Sequence, residues 1–502
     1  MKILKLVLSV VVLLEFPALV QAQFTFTTNE YNTITIVGYK GSDSTVAIPS
    51  SVNSLPVTTI ADGAFDYGVT LTNITIPDTV TNIGMTSFAN CVSLTSITVD
   101  SGNSFFSSVD GVLFNQNQTL LMQFPKGKSG GYVIPSTVTR IGDYAFYNKN
   151  ILTSVVIPDS VTLLGKYSFG NSLLNTITIP NSVTNIGDGA FGECIWLTNV
   201  TIGHSVTSIG AEAFLDCRNL AGIDIPNSVT DFGSAVFEDC LSITNITIPD
   251  SVTNIGNALF FGCYELSNVK LPNNLSNFGS LTFYYCFSLT NLNIPSNTTN
   301  IGDMAFFDCI SLTSMTIPNS IVSIGYESFA GCANLTNIAI PDSVTSIGDA
   351  AFSGCSGLVK ITMPDSITNM GSYVFSWGTN LKEVFFTGNV PSYDNPSIFT
   401  GDTNATAYYL PGSSGWGTTF SGIPTALWLP QIQTIGASFY SPTNQFGFGL
   451  NWASGQTVVV EASTNLINWQ PVQTNTLTVG LAYFCDPQWT NYPDRFYRLR
   501  SL

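Results

Sequence analysis

A turn with the consensus Ile-Pro-Asp/Asn-Ser returns every 23 residues through most of the chain, and this spacing constrains the fold more than any single residue does. Eight prolines lie on one arithmetic series, in which Gly203 stands at the one missing place: Pro180, Pro226, Pro249, Pro272, Pro295, Pro318, Pro341 and Pro364. Self-similarity with a period of about 20 to 50 residues is typical of proteins built by stacking one small unit on the next. The spacing therefore predicts a solenoid, in which function lies on a long repetitive surface.

Counted from its proline as coil position 1, the repeat has the consensus P-[DN]-S-V-T-x-I-G-x-x-A-F-x-x-C-x-x-L-T-x-I-x-I. The runs Val-Thr-x-Ile and Leu-x-x-Ile-x-Ile are rich in β-branched residues and end at Gly or Pro, so they predict strands. The Gly-x-x-Ala-Phe segment between them is too short for a stable α-helix and predicts a single helical or 3₁₀ turn. Stacked coils would align the strands into parallel sheets about 4.8 Å apart, with the Phe of position 12 in an internal column.

Composition and the N-terminal residues indicate an exported, acidic protein. The chain has 502 residues, only 9% of them charged, and a net charge of −17, which makes a nucleic acid an unlikely partner. An apolar run at residues 6–14 follows Lys2 and Lys5, and the sequence Val-Gln-Ala ending at Ala22 is typical of a cleavage site. Residues 1–22 are therefore predicted to be a signal peptide cut after Ala22. The rest of the sequence has no apolar run of about 20 residues, so no transmembrane segment is expected in the mature chain.

The repeat resembles a known family. The core L-x-x-I-x-I, together with A-F-x-x-C and I-P-D-S-V, is similar to the BspA-type leucine-rich repeats of bacterial surface proteins, over roughly residues 45–387. The resemblance implies an extended, right-handed, β-rich leucine-rich repeat solenoid with a role in surface adhesion or ligand binding. No cofactor is expected. Residues 100–134 interrupt the series with two expected extra strands around Asp110-Gly111, a hairpin-type turn, and similar insertions recur in the family.

The expected domains are a solenoid with terminal caps over residues 23–430 and a small β-sandwich-like module over residues 431–502. At the N-terminus, Phe24–Val37 alternates around Asn32-Thr33 and predicts a capping hairpin. After Phe386 the period fails. The last 70 or so residues contain five strand candidates: Phe446–Trp452, Thr457–Ala462, Trp469–Val472, Leu477–Phe484 and Arg495–Leu499.

Cysteines recur at the same coil position in eight consecutive repeats: Cys194, Cys217, Cys240, Cys263, Cys286, Cys309, Cys332 and Cys355. Because their spacing equals one coil, the sulfur atoms should form a column. Neighbouring Cα atoms about 4.8 Å apart are close enough for disulfides, but parallel Cβ vectors make the required dihedral angle hard to reach. We interpret the set as a structural ladder of buried thiols that pack as small apolar groups. Disulfides between coils are the alternative. No metal site is expected, since no C-x-x-C pair exists and the chain has one histidine.

Catalytic chemistry has no distinct set of residues in this sequence. His204, the sole histidine, stands in a turn where other coils have Asp or Asn. Aspartates such as Asp159, Asp250 and Asp365 recur at that same turn, which is the pattern of repeated turn formers. The protein is therefore expected not to be an enzyme, and an extracellular hydrolase is the least favoured interpretation.

One local departure from the consensus points to a binding site. Three consecutive coils have aromatic residues at position 13, where most coils have small or polar ones, and two have them at position 16. The candidate patch comprises Phe261, Tyr264, Tyr284, Tyr285, Phe287 and Phe307. A contiguous exposed aromatic patch usually marks a partner or ligand site, whereas half-buried rings would belong to the core.

The outward strand positions 20 and 22 offer a second candidate surface. They are mostly Asn and Thr, as at Asn245 and Thr247, and their amides and hydroxyls could bind sugars or peptides, or could merely keep the sheet soluble. The sequence as a whole predicts an exported or cell-surface protein, adhesion-like, that binds a protein or glycan through its solenoid surface. A structural envelope scaffold without a specific ligand is the alternative.

Overall fold

The computed structural model describes residues 23–66, 68–148, 151–392, 395–433, 446–478, 480–492 and 494–502. The signal peptide predicted over residues 1–22 lies outside this part of the chain. The chain divides into two compact units, one up to Ser320 and one from Ile321. Apart from a 3₁₀ turn at Trp489–Asn491, the described residues form strands joined by turns and loops.

The strands of the first unit are β1 (Phe24–Thr28), β2 (Ile34–Tyr39), β3 (Thr45–Ala47), β4 (Ser51–Val52), β5 (Leu55–Ile60), β6 (Asn73–Ile76), β7 (Asn82–Ile83), β8 (Ser96–Val99), β9 (Phe106–Val109), β10 (Val112–Asn115), β11 (Leu120–Gln123), β12 (Gly130–Val133), β13 (Arg140–Ile141), β14 (Leu152–Val156), β15 (Leu163–Leu164), β16 (Thr176–Thr178), β17 (Asn185–Ile186), β18 (Asn199–Thr201), β19 (Ser208–Ile209), β20 (Asp231–Phe232), β21 (Asn245–Thr247), β22 (Asn268–Lys270), β23 (Asn300–Ile301) and β24 (Ser314–Thr316).

The strands of the second unit are β25 (Ser323–Ile324), β26 (Asn337–Ala339), β27 (Ser346–Ile347), β28 (Lys360–Met363), β29 (Asn369–Met370), β30 (Glu383–Phe386), β31 (Thr406–Tyr409), β32 (Thr419–Phe420), β33 (Ile423–Leu427), β34 (Gln431–Gln433), β35 (Phe446–Asn451), β36 (Thr457–Ser463), β37 (Gln470–Thr476), β38 (Leu481–Asp486) and β39 (Phe496–Ser501).

Successive coils pair through parallel strands whose partners are one repeat apart in sequence. Ser208 of β19 pairs with Asn185 of β17, and Asn268 of β22 pairs with Asn245 of β21. In the strand that follows the cysteine, the central residue is buried and its two neighbours are exposed, as in Asn245–Thr247. This alternation is what a strand with one face on the core requires. The β-rich solenoid predicted from the spacing is confirmed.

The phenylalanines of position 12 form the internal column that the repeat predicts. In the first unit, successive rings from Phe146 to Phe306 lie 4.9 to 5.8 Å apart between centroids and nearly parallel. In the second unit, the rings from Phe329 to Phe399 are 5.2 to 5.7 Å apart. All are buried, so each coil depends on its neighbours to cover its ring.

The segment between the two strands of a coil is not the helical or 3₁₀ turn expected from its length, and that prediction is wrong. Positions 10 and 14 adopt left-handed backbone conformations, as at Glu212 (φ 58°) and Asp216 (φ 55°). In this arrangement every second N–H points to the next coil: Glu212, Phe214 and Asp216 donate to carbonyls of the following repeat at 2.9, 3.0 and 2.7 Å. The turn is therefore a third site of hydrogen bonding between coils, which a right-handed helical turn could not provide.

The insertion and the N-terminal cap follow the sequence pattern. β9 and β10 form an antiparallel hairpin around Asp110 (φ 51°) and Gly111 (φ 79°), the two left-handed residues that such a tight turn requires. β11 then pairs antiparallel with β10 and parallel with β13, which returns the chain to the solenoid. β1 and β2 form an antiparallel hairpin, and β2 continues in parallel to β5.

The C-terminal strands form two three-stranded sheets, in the orders β34-β35-β38 and β37-β36-β39. Phe448, Leu450, Val460 and Phe484 make one apolar core between them. On the second sheet, Arg498 and Arg500 both bind the carboxylate of Glu461, at 2.7 and 3.0 Å. Each of the five strands predicted from the sequence overlaps an observed one.

Candidate functional site

In the three coils that carry the candidate patch, the side chains at positions 12 and 13 face opposite sides. Phe260, Phe283 and Phe306 at position 12 are fully buried. Their immediate successors Phe261, Tyr284 and Phe307 are half-buried and reach the surface. The left-handed residue at position 10 sets up this alternation, and an i to i−3 hydrogen bond closes the turn, as from the Tyr284 N–H to the Leu281 carbonyl at 3.2 Å.

The three position-13 rings stack face to face across successive coils. The centroids of Phe261 and Tyr284 are 4.7 Å apart with an interplanar angle of 3°, and those of Tyr284 and Phe307 are 4.8 Å apart at 11°. The backbone fixes this spacing, because the Gly262 N–H donates to the Tyr284 carbonyl at 2.8 Å and the Tyr285 N–H to the Phe307 carbonyl at 2.9 Å. The ring separation thus equals the separation of hydrogen-bonded coils.

A second, shorter column lies beside the first. Tyr264 and Phe287 at position 16 stack with centroids 4.9 Å apart, and Tyr264 is 40% exposed. Tyr285 lies between the columns, 4.2 Å from Tyr284 and 5.5 Å from Phe287 between centroids. The structure thus brings all six predicted residues together: Phe261, Tyr264, Tyr284, Tyr285, Phe287 and Phe307. We call this group the aromatic ladder.

Tyr285 has an unusual backbone conformation for its type. Its φ is 61°, at a coil position where most other repeats have residues that tolerate the left-handed region, such as Asp239, Gly262 and Asp308, although Trp377 has the same conformation (φ 62°) in another coil. A bulky residue there is uncommon and costs on the order of 1 to 3 kcal/mol. Hydrogen bonds between coils hold this conformation, because the Tyr285 N–H donates to the Phe307 carbonyl at 2.9 Å, as the Asp239 N–H does to the Phe261 carbonyl at 2.7 Å.

Carboxylates border the aromatic ladder on the side of the preceding coil. Glu238 and Asp239 occupy positions 13 and 14 there, next to Phe261. Burial raises the pKa of both carboxyls, and neighbouring acids, Asp239 for Glu238 and Asp216 for Asp239, raise them further. On the other side, burial raises the pKa of Asp308. The surface therefore combines an apolar centre with an acidic rim, which matches a ligand with an apolar centre and basic edges.

The orientation of the rings limits what this surface can bind. Rings stacked at 4.7 to 4.9 Å cover the faces between them, so within each column only ring edges and the outer faces of the end rings are left for a ligand. A sugar packs on an open aromatic face, whereas apolar side chains of a protein can pack against ring edges and between columns. Of the two ligand classes suggested by the sequence, the aromatic ladder suits a protein.

The repeat cysteines lie on the inside of the turn. All eight cysteines from Cys194 to Cys355 are buried. Their thiols donate to the carbonyl of the position-12 phenylalanine in the preceding coil, as from Cys240 Sγ to the Phe214 carbonyl at 3.2 Å. Burial raises the pKa of the Cys194 thiol to about 11 and that of the Cys355 thiol to about 12. These thiols therefore stay protonated at neutral pH and are poor nucleophiles and poor metal ligands.

The other polar candidates from the sequence do not assemble into a site. His204 is exposed in its turn, and its backbone N–H donates to Asn181 Oδ1 at 2.8 Å. In the part of the chain that the structure describes, no group of three or more His, Cys, Asp or Glu side chains is placed to hold a metal ion.

Sequence reasoning missed a second aromatic group at Tyr144, Tyr147 and Tyr167. Tyr144 and Tyr167 stack 5.4 Å apart at 11°. Tyr167 also donates from its hydroxyl to Glu212 at 2.6 Å and fills the space left by Gly189, whose Cβ would lie 2.3 Å from the ring. Because Tyr167 links three coils through its stacking on Tyr144 and its bond to Glu212, this group is explained by packing between coils. The sequence feature that could have predicted this group is the occurrence of tyrosines at positions 10 and 13 of two neighbouring coils.

The repeat sequence places the protein in a family. Residues 42–127, 124–241, 184–313 and 299–413 match the family described as BspA type leucine rich repeat region, in six copies. The protein belongs to the BspA-type leucine-rich repeat family. Within the described residues of this BspA-type protein, no helix is long and apolar enough to cross a membrane.

Solved structures similar to this BspA-type chain include two bacterial leucine-rich repeat proteins. A leucine rich cell surface protein from Faecalibacterium prausnitzii A2-165 is 28% identical, over 73% of this chain and 94% of that one, with a TM-score of 0.42. A leucine-rich repeat protein from Bacteroides ovatus ATCC 8483 is 27% identical, over 70% and 98%, with a TM-score of 0.39. The pneumococcal vaccine antigen PcpA is 17% identical, over 78% and 92%, with a TM-score of 0.40. None of the curated proteins compared is significantly similar to the chain.

Proposed function

We propose that this protein is exported to the cell surface or secreted, and that it binds a protein partner through the aromatic ladder. The observation that carries the proposal is the pair of stacked aromatic columns at the surface, which Tyr285 joins. Export is supported by the apolar N-terminal sequence and by the similarity to a leucine rich cell surface protein.

The physical properties of the aromatic ladder support a protein partner of a particular kind. Half-buried aromatic anchors surrounded by polar residues dominate the energy of many protein interfaces. Stacking holds the rings in place before binding, so little side-chain entropy is lost on association. Because Glu238, Asp239 and Asp308 border the rings, the complementary surface should carry basic residues around an apolar centre.

Replacing Tyr284 and Phe307 together by serine is expected to weaken partner binding by about 2 kcal/mol or more, roughly thirtyfold in Kd. The fold should persist, since neither ring belongs to the internal column. A partner is first identified on an array of purified secreted and cell-surface proteins, and its affinity for the variant is then measured by biolayer interferometry.

Trp196→Ser is the matched control, because Trp196 is 53% exposed in another coil, outside the aromatic ladder. It should leave the affinity unchanged. Equal affinity of the wild type and the double variant would favour the scaffold role instead. Unfolding of the double variant would show that the rings belong to the core.

A further inference from the structure

The C-terminal strands pack directly on the last coils of the second unit. β33 continues the sheet of the solenoid by pairing in parallel with β31, and the Trp428 N–H donates to the Tyr409 carbonyl at 2.7 Å. Trp452 donates from Nε1 to the Trp428 carbonyl at 2.8 Å, and its ring packs with the buried Leu410. These contacts fix a loop-and-strand wall of the C-terminal module beside the outer face of the coils.

Between this wall and the coils lies an open cleft with a volume of about 910 Å³, within the range of sites for small organic ligands. Asn451 and Ser454 line the side of the C-terminal module. The floor consists of outward side chains from β26, β28 and β30: Asn337, Lys360, Thr362, Glu383 and Phe385.

The floor departs from the repeat consensus where it meets the cleft. At positions 20 and 22 most other coils have neutral side chains such as Asn245 and Thr247, with Asp224 and Lys270 as exceptions, whereas β28 and β30 together carry Lys360, Glu383 and Phe385. Lys360 and Glu383 are register partners, yet no ion pair joins them among the described residues. The Lys360 ammonium can therefore donate hydrogen bonds to a ligand, and the Glu383 carboxylate can accept them.

An aromatic surface closes one end of the cleft. Phe385 and Trp428 both line it, with ring centroids 4.5 Å apart and an interplanar angle of 40°. The tilt differs from the face-to-face stacking of the aromatic ladder. Since Trp428 is only half-buried, part of its ring is open to the cleft. This arrangement allows a ligand with an apolar face to pack there.

The combination of groups specifies the ligand class. Charged and amide side chains suited to hydroxyl groups line the floor, and an aromatic ring stands at the edge. The carboxylates Asp342, Asp365 and Glu383 outnumber the single Lys360, which disfavours an anionic ligand. Within the described part of the chain these carboxylates do not converge on a metal position. We infer that the cleft is a binding site for an uncharged oligosaccharide, with Lys360 and Glu383 bonding its hydroxyls and Trp428 packing on a sugar ring.

The test uses the full chain and an array of neutral and acidic oligosaccharides, followed by calorimetry with the neutral one that binds best. Glu383→Gln combined with Lys360→Met should weaken binding about tenfold or more, because methionine cannot donate to a hydroxyl and an amide oxygen accepts a weaker hydrogen bond than a carboxylate does. Lys270→Met is the matched control, since Lys270 is an exposed lysine on the outward face of β22 and does not line the cleft. It should bind as the wild type does.

Asp365→Asn provides a second, exposed cleft variant that should weaken binding without affecting melting temperature. The Tyr284 and Phe307 double variant should bind the oligosaccharide normally, which separates this site from the proposed protein-binding function. Three results would overturn the inference: no binding of any neutral oligosaccharide, preferential binding of acidic ones, or unchanged affinity in the correctly folded cleft variants.

Discussion

Gly256→Ala is expected to destabilise the first unit by about 2 to 3 kcal/mol, because the added methyl group has no room against the preceding coil. A Cβ at Gly256 would lie 2.6 Å from the Gly233 carbonyl oxygen and 2.6 Å from Ser234 Cα, both backbone atoms. Hydrogen bonds between coils hold that backbone in place, so it can move aside only by breaking the stack. Glycine at position 8 is therefore explained by the close approach of the backbones of two successive coils.

Gly222→Ala is the matched control for this substitution. No atom lies within 4 Å of the Cβ it would add, and its φ lies outside the left-handed region. A change of less than about 0.5 kcal/mol is expected. Urea unfolding followed by circular dichroism measures both variants, with hydrogen exchange to report whether the loss is local to the coils around Gly256. Similar midpoints for the two variants would contradict close packing of coils at position 8.

Asp402 is expected to make the stability of the second unit fall as pH rises. It lies three residues after Phe399 and donates its N–H to the Phe399 carbonyl at 3.0 Å, as Cys240 does to Phe237 at 3.2 Å. A carboxyl thus takes the place that a thiol has in other coils. It is buried, and burial raises the pKa of Asp402 to about 7.

The sign follows from comparing proton binding in the two states. The unfolded chain releases this proton near pH 4, whereas the folded chain keeps it until about pH 7. Stability from this group is complete below pH 4 and declines between pH 4 and 7, by up to about 1.4 kcal/mol per pH unit. Asp402→Asn should remove this decline, measured as the difference between wild-type and variant melting curves at pH 4.5 and 7.5. Asp342→Asn, at an exposed turn, should not change it. Parallel pH profiles of wild type and Asp402→Asn would contradict the assignment.

The sequence predicted the coils well because one repeat equals one turn of the solenoid, so each coil position has one environment. The left-handed backbone conformation at position 10 could not be predicted in the same way. Glu212 and Ala258 at position 10 have no preference for the left-handed region, and hydrogen bonds to the next coil impose it. At position 14, by contrast, the recurrence of Asp and Gly is the usual signature of such a conformation.

The two candidate sites differ in how well they could be predicted from the sequence. The aromatic ladder could be predicted because its residues occupy the same position in adjacent coils. The cleft could not, because it depends on how a non-repetitive module packs on the coils through Trp428 and Trp452. Asp402 could not be aligned with the repeat cysteines from the sequence, because Phe375 and Phe399 are 24 residues apart, one more than the repeat.

The central claim is that coil position alone decides which rings form the core and which form the aromatic ladder. Hydroxyl-radical footprinting of the native protein with peptide mass spectrometry tests it residue by residue, on three pairs of sequence neighbours: Phe260 and Phe261, Phe283 and Tyr284, Phe306 and Phe307. The second ring of each pair is expected to be oxidised several times faster than the first, because the first is fully buried and the second reaches the surface. Equal or reversed rates within the pairs would contradict both the placement of the coils and the surface proposed to bind the partner.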